Sequence, residues 1–571
     1  MKPTVRSRVF VAIAALCLTG QATALPTNKQ LTIGLSQEFE NLNPVVMQMM
    51  ASTTIYSLVA RPLISIDADW HWKCWLCTKI PTPENGMVKI ISAKDGTKKL
   101  EATWELDPKA VWGDGVPVTG HDVKLSWEIG LNPNVSVGQK DMYERIENIT
   151  VDAANPKKFT MFFKEARYDY YQLGTLYLLP AHIEGPIFEK AKGASGSYEK
   201  LTAYSTDPTN AALYNGPYVV KEIKLGSHIV VERNPKFSGK RPAIDRIVFK
   251  YIPNSQTLEA NLLSGSVDFI DDLGLSLDQV LAFTKREQKE PDLKKKYRVE
   301  IRDGMVYEHI DFNLRNPVLA DLKVRQALAH AIDLDKLTQA LFEGKQKKAL
   351  HNVHPLDVYY TEDVTKYPHD AAKSAQLLDQ AGWLVGPDKF RYKSGQRLKL
   401  TLMTTAGNKT RELIEVWLQG EWKKAGIDLE IKNEPARVYF GETLKKGLFP
   451  HMAMFAWVSS PDNPPKSTLQ SSEIPTEKNG FSGQNAGAYQ NAEVDKLLAD
   501  IQTEFNLEKR KVIMKKVLQF YTAELPTLPL YYRAVLSIVP ANLTGFKLTG
   551  HQFPATLNAE DWELGPAGAS H

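Results

Sequence analysis

Two periodicities alternate along most of this chain, and that alternation limits the possible folds more than any single motif. Gln30–Leu35 puts Leu31, Ile33 and Leu35 on one side, the period-2 pattern of a half-buried strand. Residues 102–106 read as a further strand. They lead to a turn at Gly113-Asp114-Gly115 and to Thr119 with Asp122 three positions on. That spacing is a capping box, so residues 123–129 are predicted helical. Turn chemistry at Tyr214-Asn215-Gly216-Pro217 precedes alternating segments at 218–223 and 229–232. A strand at 244–252 and a helix at 258–263, closed by Gly265, follow. Leu322, Arg325, Leu328, Ile332 and Leu337 then keep a 3.6-residue rhythm. Asp370 opens a helix ending at Ala381-Gly382, residues 410–424 form another before Gly426, and Leu429 with Ile431 returns to strand alternation. Val494, Leu497, Leu498 and Ile501 line one helical face. Strands and helices interleaved in this way describe α/β lobes. No internal repeat or low-complexity linker interrupts the pattern.

At 571 residues the chain predicts several structural units. Its 43% hydrophobic and 24% charged residues exclude a disordered or collagenous protein. A net charge of +4 gives no concentrated basic face, so nucleic acid is not an expected partner. The one basic run, residues 285–296, also holds Glu287, Glu290 and Asp292 and reads as a solvated loop or helix face.

Lys2, Arg6 and Arg8 precede an apolar run at 9–18 and then Ala22-Thr23-Ala24, the layout of a secretory signal peptide. The run is too short for a bilayer, which needs about 20 apolar residues. Cleavage is expected after Ala24, giving a soluble mature chain from Leu25. Cys17 lies inside the apolar run behind the bulky Leu16, which argues against lipidation. Cleavage leaves Cys74 and Cys77. Their spacing fits a local disulfide or an inert pair ahead of a redox motif or half a metal site, since no second Cys pair exists.

No motif for metalloprotease, nucleophile elbow, phosphate loop or EF-hand is present. His351 and His354 are three apart, but Pro355 follows and no third ligand is near, so a solvated loop is the expectation. The 11 Trp, 22 Tyr and 21 Phe are more informative. Several, such as Trp457, stand before polar and turn residues, as in a pocket with aromatic walls and a few fixed polar groups.

Several stretches together resemble the extracellular solute-binding proteins of peptide and nickel ABC importers. One is Trp104-Glu105-Leu106-Asp107-Pro108 through Trp112-Gly113-Asp114-Gly115 to Val123. Another is Asn215-Gly216-Pro217-Tyr218 with Glu232-Arg233-Asn234-Pro235. Further ones are Phe312-Asn313 with Val324-Arg325-Gln326-Ala327, Ala375 through Ala381-Gly382-Trp383, and Leu525 through Tyr531-Tyr532. The resemblance implies an α/β, two-lobed periplasmic-binding-protein fold (a Venus flytrap) with an additional small domain. After the signal peptide at 1–24, the discontinuous first lobe would comprise 25–62, 181–306 and 528–571. The small domain would span 63–180 and the second lobe 307–527.

By the same resemblance, a peptide or other small-molecule ligand binds between lobes that close about a hinge. The closed monomer then serves an ABC permease and its ATPase, with no cofactor, metal or catalysis. In such proteins a Trp is followed three residues on by an Asp that pairs with the peptide amine, and a Pro lies four further. Trp457 and Pro464 match, but the Asp position is Ser460, with Asp462 two residues later. Losing that carboxylate removes a charge-assisted hydrogen bond of about 1.5–3 kcal/mol. Gln48, Asn313 and Tyr439 complete the expected ligand-binding set. The alternatives are a non-peptide cargo (a sugar conjugate, opine-like compound or metal chelate) or a secreted hydrolase or chaperone.

Overall fold

Two strands far longer than the usual 3–10 residues organise the molecule. In the computed structural model, which describes residues 29–566 except 40, 48, 95, 138–140, 175, 273, 480 and 482, they span Tyr297–Phe312 and Thr527–Pro540. The signal segment, Cys17, the Leu25 start and Gln48 lie outside the described residues. In chain order, β1 is Gln30–Leu35, β2 Val88–Ser92, β3 Lys98–Glu105, β4 Ile146–Val151 and β5 Lys158–Phe163. Next come β6 (Tyr218–Lys224), β7 (His228–Arg233), β8 (Arg246–Tyr251), β9 (Phe269–Ile270) and the long β10 (Tyr297–Phe312). The remaining strands used below are β11 (Lys399–Met403), β12 (Asp428–Ile431), β13 (Met452–Val458) and the long β14 (Thr527–Pro540).

One ten-stranded sheet runs in the order β12-β11-β13-β10-β14-β9-β1-β8-β7-β6. β10 and β14 pair antiparallel along most of their length and carry the sheet from one lobe into the other. β13 joins only the second half of β10, from Val306 to Phe312, while β9 meets β14 at Ile538. The fold is therefore two-lobed and mixed α/β. A separate four-stranded sheet, β2-β3-β5-β4, forms a smaller body.

Three large apolar cores match this layout. One gathers Leu31, Ile55, Tyr218, Phe249, Val539 and Trp562 from chain segments far apart in sequence. A second holds Phe312, Leu328, Leu400, Trp422 and Leu530. The third, under the small sheet, holds Trp104, Trp112, Val123 and Phe159. Burial of such side chains, each contributing roughly 1.5–3 kcal/mol, is the main favourable term.

Local chemistry explains the helix boundaries. α1 (Gly120–Leu131) starts where Thr119 accepts the His121 N–H and Asp122 Oδ2 accepts the Thr119 N–H at 2.6 Å, the predicted reciprocal cap. The rhythm from Leu322 to Leu337 is not one helix. It divides into α2 (Leu322–His330) and α3 (Leu334–Phe342), because Asp333 accepts the Lys336 N–H (2.9 Å) and restarts the turn. α4 (Ala371–Gln380) is capped by Asp370, and Gly382 adopts the left-handed φ of +84° expected of a C-terminal glycine. α5 (Lys409–Lys424), α6 (Ala492–Thr503) and α7 (Leu507–Glu524) complete the helices used below.

Candidate functional site

The pairing of β10 with β14 breaks in one place. Asp303 opposes Ala534 and Tyr307 opposes Tyr532, so residues 304–306 bulge out of the ladder. A second shift lies between Glu308 and His309, where β14 supplies Pro529, which has no N–H to donate. The bulge uses its freed backbone groups elsewhere. Met305 N–H donates to Gly550 O (2.8 Å), and Met305 O accepts the Ser459 N–H (3.0 Å). The close approach of Gly550 requires glycine: its φ is +74°, and a Cβ would strike the Asp303 carbonyl. Thus the crossing point of the two lobes holds the start of the segment that follows β13.

That segment forms one wall of a cavity of about 70 Å³. Trp457 and Ser460 line it, with Met305 and Tyr307 from β10 and His354 and Asp357 from the loop between α3 and α4. Trp457 sits opposite Tyr307 in the β10–β13 register and meets Phe455 edge to face at 5.3 Å, which fixes the indole.

Asp462 is elsewhere. It is buried at a left-handed φ of +55°, with Oδ2 3.3 Å from Arg510 Nη2 of α7. The same oxygen accepts from Tyr171 (3.3 Å) and Gln172 (3.4 Å), and the Asp462 carbonyl accepts the Tyr168 hydroxyl at 2.9 Å. The Arg510 guanidinium also lies 3.9 Å over the Tyr168 ring. Burial raises the Asp462 pKa, while the Arg510 charge and the Tyr359 hydroxyl pull it back. Residues 168–172, Asp462 and α7 are thereby clasped together, and Asp462 does not line the cavity.

Asn313 and Tyr439 are also spent on structure. Asn313 Nδ2 donates to Phe449 O (2.7 Å) and its Oδ1 accepts the Arg315 N–H (3.1 Å). Tyr439 is fully buried, donates to Met454 O (3.1 Å), and packs with Met403, Phe449 and Phe455 beneath Trp457. Of the five expected ligand-binding residues described, only Trp457 and Ser460 come together at the cavity. Cys74 and Cys77 are joined in a disulfide and do not line the cavity.

Sequence reasoning missed Tyr307, His354 and Asp357. The expected solvated loop at His351 and His354 is a loop, but both rings are buried. His351 Nε2 bonds Thr361 O at 2.9 Å, and the His354 ring packs on Tyr532 (4.7 Å) and Trp70 (5.4 Å). Burial pushes the His354 pKa down to about 4, with Asp303 partly restoring it. Burial pushes Asp357 up to about 7, against the N–H groups of Tyr359 and Asp462 that its oxygens accept. The stretch His351-Asn352-Val353-His354-Pro355 has no periodic signal that could have placed these groups inside. Among the described residues, no group of three or more His, Cys, Asp or Glu is placed to hold a metal ion.

Residues 92–477 match the family described as bacterial extracellular solute-binding proteins, family 5, middle region. The chain belongs to this family. It is 26% identical over 545 residues to the oligopeptide-binding protein AppA of Bacillus subtilis, covering 94% of this chain and 91% of that one. The oligopeptide-binding protein of Thermus thermophilus, solved with a pentapeptide, superposes with a TM-score of 0.69 at 29% identity, over 94% of this chain and 96% of that one. NikZ from Campylobacter jejuni, solved with Ni(L-His), shares the fold at a TM-score of 0.70 and 22% identity, over 94% and 100%. Among the described residues of this family-5 solute-binding protein, no helix is long and apolar enough to cross a membrane.

Proposed function

We propose that this solute-binding protein captures peptides or peptide-like solutes between its lobes and delivers them to an ABC permease and its ATPase. It acts by binding, as a soluble, non-lipidated periplasmic monomer released by cleavage after Ala24. Its lobes divide at the boundaries given above: 25–62, 181–306 and 528–571 form the first, 307–527 the second, and 63–180 the small domain.

The observation that carries this reading is the position of the cavity. Trp457 and Ser460 stand beside the bulge of β10, at the place where the two connecting strands pass between lobes. A ligand there touches the segment that must flex when the lobes move, so its binding energy shifts the open–closed balance. A space of about 70 Å³ is far below the roughly 300–1,000 Å³ of ligand pockets, so a peptide is admitted only by an opened form.

Native mass spectrometry of the purified mature protein, followed by gentle unfolding and sequencing of what is released, tests the reading. Co-purifying peptides are expected. A single intact non-peptide compound would sink it in favour of another cargo, and cleaved products from an added peptide library would point to a hydrolase.

A further inference from the structure

Two residues that line the cavity each hold a buried polar atom without a partner among the described residues, His354 Nε2 and Asn352 Oδ1. His354 is 1% exposed and Asn352 8%. His354 Nδ1 accepts the Leu356 N–H at 3.1 Å, so the proton of the neutral ring must sit on Nε2. Burial holds the ring neutral, with its pKa pushed down to about 4. Nε2–H is thus a donor lacking an acceptor, and Asn352 Oδ1 an acceptor lacking a donor. Buried polar atoms left in this state take a partner from outside the chain, a water or a ligand.

Uncommitted charge is scarce at the same place: Asp303, whose charge acts on the His354 ring, is paired with Lys347 at 2.6 Å. The carboxylate nearest in sequence to Trp457, Asp462, is turned away to Arg510, Tyr171 and Gln172. Asp357 lines the cavity, but its two oxygens accept the N–H groups of Tyr359 (2.8 Å) and Asp462 (3.1 Å), and burial disfavours its ionised form. No Lys, Arg or Glu is among the described residues lining the space. What remains is neutral, including the hydroxyls of Ser459 and Ser460 and the amides of Asn352 and Asn463. An ammonium group brought here would lose its hydration without a committed counter-charge.

We propose that this cavity receives an uncharged, amide-bearing end of the solute, an N-acylated or otherwise blocked terminus, with His354 donating to a ligand carbonyl and Asn352 accepting a ligand N–H. The proposal rests on the peptide-capture reading above. A free amino terminus is then the disfavoured form of the same peptide.

Two synthetic pentapeptide libraries, identical except for an N-acetyl cap, provide the probe, with retention by the mature protein read by native mass spectrometry. The acetylated library should be retained about tenfold better, a difference of about 1.4 kcal/mol. His354→Phe and Asn352→Leu, checked for folding by circular dichroism, should bring the ratio toward unity. Ser460→Asp, which sets a carboxylate in the cavity wall while leaving His354 untouched, should reverse the preference even if the His354 variant does not fold. Equal or better retention of the free library by the wild-type protein overturns this proposal and leaves peptide capture standing. If neither library is retained, peptide capture itself fails and this proposal falls with it.

Discussion

Trp457 and Ser460 at one end of a single short segment, and Asp462 near its other end, have opposite fates. The first two stand at a cavity lined by residues that hold unpartnered polar atoms. The Oδ2 and the carbonyl of Asp462 take donors from α7 and from residues 168–172. The difference follows from the cost of burying charge: a buried carboxylate persists only where cations and donors converge on it. A hydroxyl such as that of Ser460 makes no such demand. The part of the segment rich in internal partners therefore ties α7 to residues 168–172, and the part poor in them lines the cavity.

If this contrast holds, the largest effect is on stability. Asp462→Ala leaves Arg510 buried and unpaired and should cost about 3–5 kcal/mol in urea unfolding. Adding Arg510→Ala should cost much less than the two single changes summed, since both remove one interaction. Additive costs would show that the clasp is not a unit.

Trp457→Ala should act at the other end, weakening ligand binding by about 2 kcal/mol, or thirtyfold, in calorimetry with the co-purifying solute. A folded variant that binds as tightly as wild type would remove Trp457 from the ligand wall.

A pH series probes the cavity side of the segment. Buried His354, with its pKa lowered to about 4, binds its proton less readily folded than unfolded, so its contribution to stability falls as pH drops below about 6.5. Asp357, raised to about 7, acts oppositely and loses stability as pH rises from about 4 to 7. The two slopes offset each other in the wild type. The difference between wild type and His354→Phe isolates the histidine: acidifying from pH 6.5 to 5 should cost the wild type on the order of 2 kcal/mol more. Parallel pH profiles would show that the ring is not held neutral by burial.

The smallest effect belongs to Cys74–Cys77. Closing so short a loop removes little unfolded-state entropy, so reduction should cost toward the low end of roughly 0–5 kcal/mol and leave binding unchanged. Loss of ligand on reduction would tie the disulfide to the cleft.

Much of the architecture was legible in the chain. The capping box at Thr119 and Asp122, the strand Gln30–Leu35, the hairpin of β6 with β7, and the glycine stops at Gly382 and Gly426 all appear where the pattern placed them. Each is a local effect, set by residues within four positions or by the pleat of one strand. The long strands were not legible as such. β10 is not a clean alternation, because its first half is half-buried and its second half is buried on both faces. At the cavity, Trp457 and Ser460 were singled out through the resemblance of their loop to a known one, Ser460 as its departure. His354, Asp357 and Asn352 come from a stretch without period, and Asn313 and Tyr439 have the right chemistry but are used up by nearby backbone carbonyls.

Local pattern was enough to set the α/β class and the position of many elements, because hydrophobic period, caps and turn residues act over a few positions; the family was legible only through the resemblance of several separate stretches. Which polar groups are spent and which are spare was settled by long-range packing alone. Asp462 and Ser460 are two residues apart, and both stood in the expected ligand-binding set, Ser460 at the matched position and Asp462 as its substitute in a rearranged loop. Arg510, 48 residues later, and Tyr171, 291 residues earlier, reach one of them and not the other. Partners so distant exert no influence on local pattern, yet the energy of a buried charge depends on them almost entirely.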